Sequence, residues 1–550
     1  MIVGVLELAS KYKYGITRAG HPLYLFKPYD PAIPDHIVGS SHRDTTVNQI
    51  AVITAGNTEG SSKPRGNLDR LLGPVGNFAA EKEALLLHYN PSKGRRQDPV
   101  PDPITRFDAE RIEISAETNW IVFHIDPPGC RDVDDALAFH PETGRWAITI
   151  ADVAAAVPEG CEADFTAALR GTTFYDLEGR VLTPMLPPAI SEGYSSLLPG
   201  GRKRGLTFFV GADQEAVFKP SWITVATTYT YESVLEAPIA TELEKYFGDC
   251  EGRDAHHWIE VAMILYNSLA ANALAAKGAG LLRVQPESPP EIKPTHPALI
   301  NLLKEAASYE TTDVENKRHA SLCLPVYCHA SSPLRRYADL VNQRALLSLL
   351  LPSSTLAAQK LVAAHLNDRA AAARRFSRDL TFLTHVTPGR VHEIDVIVMA
   401  EGKAYVPLWG RIIRLRHELC SSEGPGNEGT GSEIRIQIYC DPTQRNWKQR
   451  VLTAAIPPPS DPLFESEWAA EESVRNLLSF YATRPRTGMP TQAFLEELRT
   501  LETAAADAIK AHYKLTTVEG SALTHYLEKV CNYYELLPSI EADCGLTVHY

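Results

Sequence analysis

The chain has 550 residues and a net charge of −13, with 44% hydrophobic and 22% charged residues. This length exceeds what one hydrophobic core supports, so we expect three to four domains of ordinary soluble composition. No apolar run approaches the roughly 18 residues of a membrane span, so we expect no membrane partner. Nine cysteines without a C-x-x-C pair argue against a structural zinc site. They predict reduced thiols in an intracellular, cytosol-like compartment, either cytoplasm or nucleus.

The charge is unevenly distributed along the chain. Residues 316–379 contain 10 Lys and Arg against 3 Asp, whereas residues 457–550 contain 14 acidic and 7 basic residues. A net negative charge argues against a basic outer surface that binds nucleic acid. A basic middle within an acidic whole therefore favours an enclosed channel for an anion.

The first hundred residues are rich in predicted strands. Apolar runs at residues 2–6, 22–26 and 49–54 are separated by turn residues, which is typical of a small β-barrel of the OB or cold-shock kind. A helix is predicted over residues 79–88.

An acidic stretch follows, and it contains the strongest chemical signal. The apolar run 121–125 leads into a Pro-Pro-Gly turn, and a second apolar run begins after four aspartates, namely Asp126, Asp132, Asp134 and Asp135. The pattern predicts strand, turn, strand, with a partner strand at 145–151. Four crowded carboxylates repel each other unless a cation is bound, and Mg²⁺ prefers oxygen ligands. A solvated acidic turn is the alternative, whereas Leu137 and Thr143 exclude an EF-hand beginning at Asp132.

A second motif lies about 200 residues later. Ser332 and Pro333 predict a helix start, which places Arg335 and Arg336 in its first turn, where a phosphate bound between them would be stabilised. The alternative is pairing of Arg335 with Asp339 along the helix. Further helices are predicted at 254–277 and 356–380, and strands at 390–398 and 434–439.

The aspartate spacing D-x₅-D-x-D-D, together with S-P-L-R-R-Y-A-D-L at 332–340, resembles the ribonuclease II/R family, which shares the RNB domain. Further similar stretches occur in the family's order at 150–153, 170–175, 184–187, 190–197, 282–284 and 327–329. The resemblance implies an α+β fold, with an RNB catalytic core flanked by OB/cold-shock-like and S1-like β-barrels and a helical C-terminal extension. The implied domains are an N-terminal β-rich region, the RNB domain, an S1-like barrel and an acidic helical extension, at residues 1–103, 104–385, 386–457 and 458–550.

The resemblance also implies a function, a Mg²⁺-dependent hydrolytic 3′→5′ exoribonuclease that degrades single-stranded RNA to 5′-mononucleotides. The four aspartates would hold two Mg²⁺ ions, which Mn²⁺ can replace, and Asp134 would be the essential catalytic carboxylate. Arg335 would steady the scissile phosphate, and Tyr175 would stack on the terminal base. Such roles suit an arginine fork and an aromatic face. The implied RNA-binding residues are Tyr175, Arg335, Arg336, Arg283 and Tyr337.

Departures from the family and rival functions remain. Thr149 and Gln343 stand where the family often has histidine. One rival is a catalytically inactive RNB scaffold that binds RNA as a regulator, and another is a metal phosphoesterase acting on small substrates. We expect any protein partner to bind through the C-terminal extension.

Overall fold

The structure of the protein is a computed structural model. It describes residues 1–56, 63–90, 108–210, 218–248, 254–287, 305–350, 360–387, 391–399, 402–414, 431–440, 446–454 and 491–515, together with a few positions near 103–105, 296–302 and 469–480. The chain divides into two compact units. The first contains residues 1–88, 293–301 and 378–550, and the second contains residues 89–292 and 302–377.

The first unit begins with a closed five-stranded barrel, ordered β1-β2-β3-β5-β4. Its strands are β1 Ile2–Leu6, β2 Leu23–Pro28, β3 His36–Gly39, β4 Gln49–Ala55 and β5 Arg65–Pro74. Leu6, Phe26 and Ile53 fill its interior, while Ile50 packs outward on helix α1, Phe78–Tyr89. This alternation follows from the pleat, which turns successive side chains to opposite faces of a strand. The predicted barrel is confirmed.

The second unit is built on a seven-stranded sheet ordered β14-β7-β8-β9-β12-β13-β6. Its strands are β6 Ile112–Ile114, β7 Ile121–Ile125, β8 Asp135–His140, β9 Arg145–Ala151, β12 Lys203–Val210, β13 Phe218–Ile223 and β14 Thr227–Tyr229. Two hairpins pair β10 Phe174–Tyr175 with β11 Val181–Thr183, and β15 Leu281–Val284 with β16 Ser308–Thr311. The helices are α2 Val153–Ala156, α3 Glu162–Arg170, α4 Ala240–Phe247, α5 His256–Ala276 and α6 Tyr337–Leu349.

The core of the second unit lies between this sheet and its helices. Strand β9 is buried over nearly its whole length, as expected for a central strand covered on both faces. Helix α5 is long and apolar enough to cross a membrane by length and composition alone, with a mean hydropathy of 1.4. Its residues Trp258, Tyr266 and Leu274 are nevertheless buried in the protein core. Helix α5 therefore packs with these residues in the core of the second unit.

Helix α7, Lys360–Val386, begins in the second unit and ends in the first. An antiparallel sheet then follows in the first unit, ordered β19-β18-β17-β20-β21. Its strands are β17 Val391–Met399, β18 Lys403–Val406, β19 Arg411–Arg414, β20 Glu433–Cys440 and β21 Val451–Ala454, and a helix α8 spans Gln492–Leu515. Most of the predicted extension, including residues 516–550, lies outside the described residues, and the predicted domain boundaries stay predictions.

The predicted strand–turn–strand around the aspartates is confirmed, because β7 and β8 pair antiparallel with Ile121 opposite Phe139. The predicted start of the arginine-bearing helix is wrong. Helix α6 begins at Tyr337, after Arg336 in an extended conformation with φ −132° and ψ 124°. The cause is tertiary, since residues 171–173 bind this backbone. The Thr173 N–H donates to the Arg335 carbonyl at 3.0 Å, and the Tyr337 N–H donates to that of Gly171 at 2.9 Å.

Candidate active site

The acidic connection between β7 and β8 is fixed by hydrogen bonds on both sides. The Val133 N–H donates to Ser196 Oγ at 3.0 Å, and the Val133 carbonyl accepts from the Leu197 N–H at 3.0 Å. Ser196 Oγ also donates to the Arg131 carbonyl at 2.7 Å. These bonds hold the backbone that presents Asp132 and Asp134.

Asp134 joins the two sequence motifs. Its Oδ1 accepts from the Leu334 N–H at 2.8 Å, and its Oδ2 accepts from Arg335 Nε at 3.0 Å. Burial raises the pKa of Asp134 to about 7, although Arg335 and the Leu334 N–H act to lower it. The structure therefore brings together the aspartate and the arginine that the resemblance assigns to catalysis.

Arg335 is held at two points and remains half exposed. Its Nε donates to Asp134 and its Nη2 donates to Ser332 Oγ at 3.1 Å. The Nη1 group has no protein acceptor among the described residues, and 44% of the side chain is exposed. The predicted helix N-terminus with two arginines is absent here, so Arg335 is presented from a turn before α6.

Asp126 and Asp135 supply the other carboxylates. Burial, followed by the charges of Asp126 and Asp134, raises the pKa of Asp135 well above its usual range. No hydrogen bond reaches the Asp135 carboxylate from the described residues. A crowded carboxylate without a donor fits a site for a hard cation. However, among the described residues no three His, Cys, Asp or Glu side chains form a preformed set of metal ligands.

Tyr175 lies beside these carboxylates. Its hydroxyl donates to Asp132 Oδ2 at 2.9 Å, and burial together with the Asp132 charge raises the pKa of Tyr175. The β10–β11 hairpin has a register shift between Phe174 and Tyr175. The structure thus places Tyr175 in the site, and its stacking on a base stays a prediction.

The other predicted RNA-binding residues have protein partners. Arg336 donates to both oxygens of Asp339 at 2.9 and 2.8 Å, so Arg336, and not Arg335, makes the pair with Asp339. The Tyr337 hydroxyl donates to Asp164 at 2.8 Å, and its ring is buried. Arg283 lies over the Tyr309 ring at 4.5 Å. Their contacts with RNA stay predictions.

Two residues near the aspartates were missed by sequence reasoning. His124 Nδ1 lies 2.8 Å from Asp126 Oδ2, and its Nε2 lies 3.0 Å from Thr228 Oγ1. Burial and the charges of Asp126 and Asp135 raise the pKa of Tyr231 to about 12. A polar residue inside an apolar strand was the available signal for His124. No sequence signal indicated Tyr231. It follows β14, and the parallel pairing of β14 with β7 could not be read from the sequence.

Two family models match parts of the chain. Residues 116–246 and 293–352 match the RNB domain, and residues 23–90 match the Dis3-like cold-shock domain 2. The chain carries an RNB domain. The matched range includes all four aspartates and Arg335, and it therefore includes the contact between Asp134 and Arg335.

Three individual proteins are similar to the chain. The exosome complex exonuclease RRP44 of Homo sapiens is 26% identical over 425 residues, which are 59% of this chain and 44% of that protein. The apo form of Mycoplasma genitalium RNase R superposes with a TM-score of 0.60 at 16% identity, covering 83% of this chain and 90% of that one. Yeast Ssd1, a pseudonuclease, gives a TM-score of 0.58 at 17% identity, covering 91% and 75%.

These likenesses support the fold more strongly than the chemistry. The solved structures establish that the RNB core and its flanking barrel share the architecture of RNase R and Ssd1. The chain spans less than half the length of the first curated relatives that it matches.

Proposed function

We propose that this protein is a Mg²⁺-dependent hydrolytic 3′→5′ exoribonuclease that acts on single-stranded RNA and releases 5′-mononucleotides. The observation that carries the proposal is the contact between Asp134 and Arg335 across 201 positions of the chain. An acidic turn on an ordinary surface would not need a buried carboxylate bonded to a half-exposed arginine.

The side chains have distinct tasks in this proposal. Arg335 Nη1 reaches a phosphate oxygen while Nε stays on Asp134, so the guanidinium is oriented before the substrate arrives. The Tyr175 hydroxyl, held by Asp132, fixes the ring that stacks on the terminal base. Mg²⁺ held by Asp126, Asp132, Asp134 and Asp135 would activate a water molecule and stabilise the attacking and leaving oxygens.

A second candidate is an RNA-binding protein without hydrolysis, because yeast Ssd1, which has a similar fold, is a pseudonuclease. The presence of Asp126, Asp132, Asp134, Asp135 and Arg335 favours the enzyme. The other rival, a phosphoesterase for small substrates, gives no reason for Tyr175 to lie beside the carboxylates. We place the activity in a reducing intracellular compartment, and assign any protein partner to residues 458–550.

The test is product analysis on two matched RNAs, one with a free 3′ end and one with a blocked 3′ end, each labelled at the 5′ end. With Mg²⁺ the free-ended RNA should shorten progressively and release 5′-mononucleotides, and EDTA should stop the reaction. Equal cleavage of both RNAs would contradict the proposed direction. Retention of both RNAs intact, with tight binding, would instead support the non-hydrolytic candidate.

A further inference from the structure

A small cavity lies in the second unit, beside the Arg335–Arg336 turn. Its volume is about 180 Å³, and its lining combines small and apolar residues with the polar and basic side chains of Arg283, Arg336, Arg374, Tyr309, His329 and Thr172. This volume is below the roughly 300–1,000 Å³ of pockets that enclose a whole drug-sized ligand. The cavity is therefore large enough for a small chemical group, such as one part of a longer ligand.

The cavity is lined by more positively charged than negatively charged side chains. Three guanidinium groups line it, whereas no acidic side chain does so among the described residues. The Asp339 carboxylate, behind the lining, is already engaged by Arg336 through both oxygens. Within the described part of the chain, Arg283 and Arg374 are left without a carboxylate that neutralises them, and for Arg283, which is buried, an unpaired charge is costly.

Arg283 provides the strongest indication of a ligand in this cavity. It is 8% exposed, and its Nη1 is buried without a hydrogen-bond partner among the described residues. Burial and the neighbouring charges of Arg374 and Arg336 lower its pKa. A buried donor that lacks an acceptor at this position indicates that an acceptor arrives with a ligand.

The histidine in the cavity is neutral and adds no further charge. Burial and the charges of Arg336 and Arg283, with further effects of His319 and Arg335, hold the pKa of His329 well below its usual range. Its Nδ1 lies 2.9 Å from the Tyr309 hydroxyl. His329 and Tyr309 therefore form a neutral, hydrogen-bonded pair in the lining, with the Arg283 guanidinium 4.5 Å from the centre of the Tyr309 ring.

We propose that the cavity formed by Arg283, Arg336 and Arg374 is a phosphate-binding site, separate from the phosphate contact of Arg335. The site rests on the proposed function for its ligand, because a phosphate of the RNA backbone would reach it while the scissile phosphate lies at Arg335. Guanidinium forks match phosphate oxygens in geometry and charge. A free phosphate monoester has the same chemistry, and the experiment distinguishes the two sources.

The experiment measures RNA binding in EDTA, so that hydrolysis does not enter the result. A set of oligonucleotides carries one uncharged methylphosphonate linkage at successive positions from the 3′ end. The wild-type protein should lose affinity by about tenfold at one position away from the scissile linkage, the loss of a charge-assisted contact. Arg374→Gln should bind the unmodified RNA less tightly and lose this position-specific penalty.

Arg375→Gln is the matched control, since Arg375 is an exposed neighbour on α7 that does not line the cavity. It removes the same charge and should keep the position-specific penalty. A thermal shift with inorganic phosphate, compared with chloride at equal ionic strength, tests the other source. Stabilisation of the wild type and the Arg375→Gln variant by phosphate, but not of Arg374→Gln, would assign the site to a free anion.

An identical penalty profile in both variants, with no phosphate-dependent stabilisation in the wild type, would overturn the proposal. Because every binding measurement is made without divalent metal, a failure of hydrolysis in the separate assay with Mg²⁺ would refute the exoribonuclease and leave the phosphate site standing. Circular dichroism of Arg374→Gln verifies folding. Since Arg374 is exposed on α7, its replacement is not expected to disturb the core.

Discussion

Asp134 accepts two hydrogen bonds that a carboxamide of the same shape cannot both accept. In Asp134→Asn, one oxygen becomes an NH₂ group that faces either the Leu334 N–H or Arg335 Nε. We expect hydrolysis to fall by about 10³-fold or more, while RNA affinity stays within a few-fold, because the buried negative charge is removed without a change in volume. Single-turnover hydrolysis and fluorescence anisotropy measure the two quantities.

The control for this substitution is Glu142→Gln in the exposed turn between β8 and β9, which should leave both quantities unchanged. A parallel loss of affinity and hydrolysis in Asp134→Asn would assign Asp134 to folding or binding instead of catalysis.

Arg335 makes two contacts with different nitrogen atoms, which a lysine cannot reproduce. In Arg335→Lys, one ammonium must choose between Asp134 and Ser332, and no planar fork remains for phosphate. We expect kcat to fall by about 10²-fold and KM to change much less, since the lost contacts orient the reacting group. Steady-state kinetics on a short RNA provide the measurement.

Arg180→Lys serves as the control, because Arg180 is an exposed residue in the hairpin that also carries Tyr175. Its kinetics should match those of the wild type. A higher KM with an unchanged kcat in Arg335→Lys would show that the arginine contributes only ground-state binding.

At the scale of elements, the turn before α6 depends on Asp339. This fully buried carboxylate accepts from the Ser332 N–H at 2.8 Å and from two nitrogens of Arg336. Asp339→Asn would leave the partly buried Arg336 without its counter-charge. We expect the free energy of unfolding to fall by about 3–5 kcal/mol and hydrolysis to fall with it, because the turn that holds Arg335 loosens.

Urea unfolding measures this change, and Asp368→Asn on the exposed side of α7 is the control, expected within about 0.5 kcal/mol of the wild type. A stable Asp339→Asn protein with normal activity would show that the turn is held by the contacts of residues 171–173 alone.

Local patterns predicted most elements but not how elements meet. The apolar runs at 2–6 and 145–151 predicted β1 and β9 at the observed residues, since a buried strand leaves a short, continuous apolar run in the sequence. The start of α6 was misplaced because the backbone of Gly171–Thr173, distant in sequence, takes over the bonds that a helix would have used. Local propensity contains no information about that partner.

The same limit applies to the candidate site. The aspartates and arginines were visible as clusters, and the family resemblance separated their roles. Sequence spacing alone did not reveal that Arg335 would face Asp134 while its neighbour Arg336 faces Asp339, because adjacent side chains diverge only once the backbone conformation is set. The contact of His124 with Asp126 likewise depends on how the chain leaves β7.

At the scale of the whole molecule, one buried ion pair connects distant parts of the first unit. Glu81 on α1 and Arg450 before β21 are paired, and both are almost completely buried. Glu81 also accepts from the Tyr29 hydroxyl at 2.8 Å and from the Gly76 N–H at 3.1 Å. Glu81→Gln should lower the free energy of unfolding of this unit by about 3–5 kcal/mol, because the buried Arg450 guanidinium loses the negative charge of Glu81.

Thermal unfolding and limited proteolysis of the full chain measure this effect. The control is Glu83→Gln on the same helix, whose pairing with Arg70 at 3.4 Å is partly exposed and worth at most about 1 kcal/mol. Equal destabilisation by the two substitutions would mean that the buried pair contributes nothing beyond a surface one.

The separation of Asp134 from Arg335 by 201 positions has a consequence during protein synthesis. A ribosome adding about 5–20 residues per second needs roughly 10–40 s to extend the chain from one residue to the other. Throughout that interval the emerging polypeptide has its acidic half-site but lacks the arginine. An unfinished chain would therefore be unable to attack the messenger from which it is being translated.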